Sequence, residues 1–238
     1  MSLFENSPAQ VEPDKQVSLG LSGSIELSQA LSEKYKPRKI ADFIGLEKQR
    51  KVLGAFAQRP MPCAWFFLGP SGVGKSAMAF ALANQLDAEI HHIPSQKANI
   101  ESLNEVSRLC SRFPYRFFGE NAGPAKWHVI IIEESDKMSS AFQLALLSRL
   151  DGTAPLAQTI FIFTANGTDG LEPRFLSRVR VMEFSSYGLR GELAALLARV
   201  WQAETGAPGT LNWERIAKES NTNVRDALQT LEIELLAA

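Results

Sequence analysis

The chain has 238 residues, enough for one large or two modest domains with a real core. Hydrophobic residues make up 45% and charged residues 21%, and 25 Lys and Arg against 26 Asp and Glu leave a formal charge of -1, so any attraction to nucleic acid must come from a local patch. Two cysteines exclude a disulfide framework and a four-cysteine zinc module; no apolar run reaches the roughly 18 residues of a membrane span and the N-terminus is no secretory signal, so a cytoplasmic protein without a membrane partner is expected.

Residues 1–30 are rich in Ser, Pro, Gly and Gln, a composition expected to have no packed structure of its own. A helical pattern then runs from Leu46 to Gln58 and is stopped by Pro60-Met61-Pro62. Strand-length apolar runs follow at Ala64–Leu68, Ile90–Ile93, His128–Ile132, Thr159–Thr164 and Val179–Phe184, with helical patterns between them. The third and fourth are apolar nearly throughout, as in strands buried on both faces of a parallel sheet, which predicts an α/β architecture for residues 31–186. From residue 187 apolar residues recur only at helical spacing, so 187–238 are expected to form a small all-helical domain.

Gly69-Pro70-Ser71-Gly72-Val73-Gly74-Lys75-Ser76 fits the phosphate-loop pattern G-x-x-x-x-G-K-[ST] and stands between a strand and a helix, where that motif belongs. Glycines let backbone N–H groups approach phosphates, and a helix N-terminus adds positive potential. Lys75 would reach the β and γ phosphates of ATP, and the Ser76 hydroxyl would ligate Mg2+. The third strand ends in Glu133-Glu134, two carboxylates at the carboxyl edge of the sheet: Glu133 is suited to the metal or its water, Glu134 to polarising an attacking water. Asn166, at the end of the fourth strand, is suited either to orienting that water or to a turn. Arg174, Arg178 and Arg180 follow within seven residues, so one guanidinium could serve a neighbouring subunit's phosphate while the others are solvated.

Tyr35-Lys36-Pro37, Phe43-Ile44-Gly45, GPSGVGKS, IIIEESDKM, FIFTAN, LSRVR and NVRDAL, in this order, resemble the AAA+ ATPases, and among them the clamp-loader small subunits of the replication factor C and bacterial gamma type. The resemblance covers residues 31–238 and implies a P-loop domain followed by a three-helix lid that closes over ATP. It places Lys36, Pro37, Ile44 and Gly45 beside the adenine, Glu133 and Glu134 at the Walker B positions, Asn166 at sensor 1, Arg178 at the arginine finger and Arg225 at sensor 2. Partners implied are other AAA+ subunits and primed DNA.

Four departures qualify the likeness. Glu133 stands where Asp is usual, one methylene longer, which predicts slow hydrolysis. Val179 replaces the Cys of the finger motif without disturbing Ser177-Arg178. The helix from Ser139 to Leu150, which tracks DNA phosphates in clamp loaders, carries only Arg149 as a charged residue. With Ala238 the last residue, a helical collar after the lid is not expected, and the pentameric assembly mode is not carried over from the resemblance.

Three further segments invite a functional reading. Gln16-Val17-Ser18-Leu19-Gly20-Leu21 resembles the bacterial sliding-clamp-binding hexapeptide and lies in the tail, where a docking peptide belongs; an inert linker is the other reading. Residues 112–126 interleave Phe and Tyr with Arg and Lys, the composition of a single-strand stacking surface, but the expectation is a loop whose Phe side chains pack onto the core. His91, His92 and Cys110 fit no zinc spacing, and the two histidines lie on a predicted strand. Two readings therefore stand: an ATP-driven replication factor of clamp-loader type, or a nucleotide-switched adaptor that binds a protein partner and hydrolyses ATP slowly.

Overall fold

The computed structural model describes residues 29–117, 122–151 and 156–237. The possible clamp-binding hexapeptide Gln16–Leu21 lies outside the described residues.

Five parallel strands make the central sheet: β1 (Cys63–Leu68), β2 (Ala88–Ile93), β5 (Trp127–Ile132), β6 (Thr159–Ala165) and β7 (Arg180–Glu183), in the spatial order β2-β5-β6-β1-β7. Every residue of β6 is buried, as are five of the six in β5 and four of the six in β1, which is why these runs are apolar without alternation. Two apolar layers sandwich the sheet. One gathers Leu53, Phe67, Met78 and Leu82 under α2 (Glu47–Gln58) and α3 (Lys75–Gln85). The other gathers Phe66, Leu103, Phe142, Phe163 and Phe175 under α4 (Ile100–Leu109), α5 (Ser140–Leu150) and the short α6 (Pro173–Leu176). Phe175 closes the second layer by meeting Phe66 and Phe163 edge to face, with ring centroids 6.1 and 4.9 Å apart.

The helices α7 (Arg190–Thr205), α8 (Trp213–Glu219) and α9 (Val224–Leu236) have their own core, built on Leu193, Leu197, Ile216, Leu228 and Leu231. Leu31 of α1 (Leu31–Lys34) belongs to it as well, fully buried, with its backbone N–H given to the Glu232 carboxylate. The segment preceding the sheet is thereby tied to the end of the chain, a pairing that helical periodicity cannot show.

Between α4 and β5 the structure departs from the expected loop. Tyr115–Arg116 (β3) and Gly123–Pro124 (β4) pair as a small antiparallel ribbon. Phe113 is 89% and Phe117 56% exposed, so these two phenylalanines do not pack onto the core as expected. Tyr115 packs on Phe117 instead, and the Arg112 guanidinium lies over the Phe117 ring. Of the two thiols, Cys110 is buried and Cys63 half-buried.

Candidate functional site

Because the strands are parallel and nearly in register, their carboxyl ends deliver polar residues to one edge. Leu68 pairs with Ala165 and Ile132 with Phe163, so the phosphate loop after β1, Glu133 and Glu134 after β5, and Asn166 after β6 stand side by side. They line a cleft of about 450 Å³ that is roofed by α7 and α9. Lys36, Pro37, Ile44, Ser71, Gly72, Val73, Gly74, Lys75, Ser76, Glu133, Glu134, Asn166 and Arg225 all face it.

Lys75, the first residue of α3, is the best-defined group. Only 8% exposed, it donates to the carbonyls of Gly69 and Pro70, each at 2.7 Å, and to Asn166 Oδ1 at 3.0 Å. Burial pushes its pKa down, the Asp136 carboxylate opposes this, and the Arg225 guanidinium adds to it. Among the described residues no carboxylate lies within ion-pair distance of Lys75. A desolvated ammonium with neutral partners, the Arg225 guanidinium nearby and the N-terminus of α3 beneath it make this end of the cleft a place for a polyanion.

Two loop glycines are required by their surroundings. Gly69 bends at a φ of +155° against β7, where a Cβ would stand 2.2 Å from the Phe184 carbonyl oxygen. Gly72, with φ +77°, lies against Asn223, and a Cβ there would come 1.8 Å from Asn223 Oδ1. Asn223 caps α9 by accepting from the N–H groups of Arg225 and Asp226. The loop therefore touches the start of the helix that carries Arg225.

The carboxylates are held apart. Glu133 is bound to His92 Nε2 at 2.6 Å. Glu134 has a left-handed backbone, φ +49°, and its carboxylate accepts from Ser95 Oγ at 3.2 Å and Lys137 Nζ at 2.5 Å. The bond to Lys137 keeps its pKa below the ordinary carboxylate value. Ser76 and Glu133, both on the cleft wall, form a hydroxyl and carboxylate oxygen pair that suits the hard Mg2+ ion.

The opposite end of the cleft is apolar. Tyr35, Pro37, Phe43, Ile44 and Leu46 face Leu189, Leu196, Val224 and Leu228 across it, a slot suited to a planar base. Gly45 is not on the wall: its N–H goes to the Glu192 carboxylate at 2.5 Å, and a Cβ there would meet Leu189 Cδ2 at 2.0 Å. Gly69 contributes its carbonyl from behind the loop, as does Pro70.

Arg178 is not brought to this cleft. It precedes β7 while the loop follows β1, and these strands run parallel, so the two occupy opposite ends of neighbouring strands. Its guanidinium is held by Asp151 at 2.5 Å and by the Arg174 carbonyl at 2.8 Å.

Sequence reasoning missed Asp136, which accepts from the Asn166 N–H at 3.3 Å and acts on Lys75. The E-E-S-D spacing held that signal. It also missed Ser95, Gln96 and His92, which come from β2 and the turn after it and have no motif to mark them.

Residues 65–187, just over half of the chain, match the profile of the ATPase family associated with various cellular activities (AAA). The chain belongs to the AAA family. Relatives include a replication factor C small subunit of Methanocella arvoryzae, 30% identical over 155 residues, which are 64% of this chain and 47% of that protein. Another, from Thermofilum pendens, is 28% identical over 202 residues, 84% of this chain and 61% of that protein. The chain thus spans about half to three-fifths of the length of these relatives. Among solved structures, the Holliday junction branch migration motor RuvB of Thermotoga maritima superposes with a TM-score of 0.65 over 83% of this chain and 64% of that one, at 22% identity, a likeness of fold. No helix among the described residues of this AAA chain is long and apolar enough to cross a membrane.

The contact between Gly72 and Asn223 generates a prediction. Gly72→Ala places a side chain in a left-handed position costing about 1–3 kcal/mol and displaces the cap of α9. Chemical denaturation should show a loss of at least about 1 kcal/mol, and titration with a fluorescent ATP analogue should show weaker binding.

Proposed function

We propose that this AAA chain binds ATP with Mg2+ in the cleft between sheet and helices and hydrolyses it as one subunit of a clamp-loader-type assembly. The observation that carries the reading is Lys75, buried and desolvated on neutral partners beside the cleft that the phosphate loop, Glu134, Asn166 and Arg225 share. The replication factor C relatives favour the clamp-loader branch. We take the division of the chain to be a tail over 1–30, an ATPase core over 31–186 and a lid over 187–238.

Lys75 exchanges the carbonyls of Gly69 and Pro70 for the β and γ phosphates. Ser76 and Glu133 would hold a magnesium ion, which when bound would neutralise charge on the phosphates. Glu134 leaves Lys137, and its carboxylate then takes a proton from the attacking water as the water oxygen bonds to the γ phosphorus. The bond to the β–γ bridging oxygen breaks, releasing ADP and inorganic phosphate. Asn166 orients the water, and Arg225 reports the phosphates to α9. The ion pairs of Glu133 with His92 and Glu134 with Lys137 must open first, which favours slow turnover by an isolated chain. Arg178, remote from its own cleft, would serve the next subunit.

A second reading, an ATP-switched adaptor for a protein partner, has one specific observation behind it. Arg149, the single cation on α5, turns to Asn104 Oδ1 at 3.3 Å, while Leu144 stands 63% exposed on the same helix. The surface around Leu144 carries no cation of α5, so it offers a protein more than it offers DNA phosphates. ATPase assays with and without primed DNA, with a sliding-clamp pull-down of the chain and of a deletion of residues 1–25, separate the two. DNA stimulation supports the clamp-loader reading; clamp binding through Gln16–Leu21 without it supports the adaptor.

Lys75→Ala should weaken ATP binding at least tenfold by fluorescence titration, roughly the worth of one charge-assisted contact. Glu134→Gln should bind ATP like the parent and lose at least about 100-fold in turnover, the scale of a general base. Parental turnover by Glu134→Gln removes Glu134 as the base.

Arg178→Ala should leave ATP affinity of the chain unchanged and abolish the rate increase seen on raising protein concentration, since a finger in trans supplies about 10³–10⁵ in rate. A normal concentration-dependent rate moves the finger to Arg174 or Arg180.

A further inference from the structure

The amino ends of β2 and β5 hold a polar cluster that the nucleotide cleft does not use. Glu89 and His91 are two apart on β2 and share a face of the sheet; His128 on β5 pairs with Glu89 in register and joins them. Cys110, at the C-terminal end of α4, covers the same spot. All four are buried, His128 completely. Adjacent His92 points to the other face and to Glu133, so the two histidines of β2 serve opposite ends of different sites.

The arrangement gathers lone pairs. His91 Nε2 lies 3.1 Å from His128 Nδ1; the Glu89 carboxylate lies 3.3 Å from His128 Nδ1 and 3.8 Å from His91 Nε2. The donor atoms of His91, Cys110 and His128 fall within 4.8 Å of one another. His128 Nε2 is 2.9 Å from the Arg112 carbonyl, which can only accept, so the proton of that ring sits on Nε2. In the neutral ring Nδ1 then turns a lone pair towards His91 and towards Glu89 at once. The half-exposed Arg112 guanidinium lies 3.8 Å from the Glu89 oxygen that faces His91, and the Tyr115 N–H donates at 2.8 Å to the oxygen that faces His128.

A cation at the convergence point answers all of them. Zinc binds His nitrogen at about 2.0–2.1 Å, carboxylate oxygen at about 2.0–2.2 Å and thiolate sulfur at about 2.3 Å, so the edges of its tetrahedron are roughly 3.3–3.6 Å. The 3.1 Å between His91 Nε2 and His128 Nδ1 and the 3.3 Å between His128 Nδ1 and one Glu89 oxygen are close to that span, while His91 Nε2 lies 3.8 Å from the other Glu89 oxygen. Two movements complete the set: the Cys110 sulfur, which meets Thr159, closes onto the histidines, and one Glu89 oxygen turns in to join them. The His128 bond to a backbone carbonyl through its other nitrogen is the outer support that metal-bound histidines commonly have.

We propose that His91, Cys110 and His128, with one Glu89 oxygen turned in as the fourth donor, form a four-coordinate structural site for Zn2+ between β2, β5 and the end of α4, outside the nucleotide cleft. The site joins β2, β5 and the end of α4, and it anchors the root of the β3–β4 ribbon with its exposed Phe113 and Phe117. It differs from the magnesium site in every donor and supplies no step of hydrolysis.

The test uses the full chain, stripped of metal by a chelator, without nucleotide or magnesium, and titrated with Co2+ and then Zn2+. The expected result is one Co2+ per chain with tetrahedral absorption and a thiolate-to-cobalt charge-transfer band, displaced by Zn2+. Cys110→Ser should abolish the band and weaken Zn2+ binding at least about 100-fold, whereas Cys63→Ser should change neither. His91→Gln, which keeps the thiol, should weaken Zn2+ to a similar extent. Should the variants fail to fold, the parent titration decides alone. No band at saturating Co2+ overturns the site, as does stoichiometric cobalt without sulfur character, because the nucleotide cleft has only oxygen and nitrogen donors. A band that survives Cys110→Ser overturns it too.

Discussion

Parallel pairing of β1 with β6 and of β6 with β5 is the constraint on which the candidate site depends. Each strand is covered on both faces, so its side chains belong to the core, and the polar groups that chemistry needs can appear only where strands end. With Leu68 level with Ala165 and Ile132 level with Phe163, the ends of three strands fall together. A slip of one residue in β6 would turn its alternate side chains to the other layer and carry Asn166 away from Lys75. The aromatic contacts of Phe163 and Phe175 therefore hold register as well as volume.

That dependence explains what could be read from the chain. The buried runs identify the strands to within two residues because double coverage removes polar alternation. The phosphate loop is legible because its glycines answer local demands, as Gly69 against Phe184 and Gly72 against Asn223 show. Glu133, Glu134 and Asn166 are legible as the first polar residues after buried strands. Groups assembled across the sheet are not legible. His92 meets Glu133 only through the pairing of β2 with β5, and Leu31 reaches the helical core only through the return of α9. Phe113 and Phe117 fail in the opposite sense, since composition alone made them look like core.

The same pairing treats the two ends of β2 and β5 differently. At the carboxyl end, His92 and Glu133 are 39% and 25% exposed in their side chains, so solvent screens their pairing and they can exchange partners as phosphates and metal arrive. Away from that end, Glu89, His91 and His128 are buried against one another, so a rearrangement there costs more than one at the solvated pair.

The buried cluster lies where the sheet is least supported. β2 is an edge strand, held to the sheet on one side only, and edge strands are the first to fray. The proposed zinc site would tie β2 to β5 and to α4 where the sheet gives it a single neighbour, while on the cleft side the phosphate loop meets the cap of the helix that carries Arg225 through Gly72.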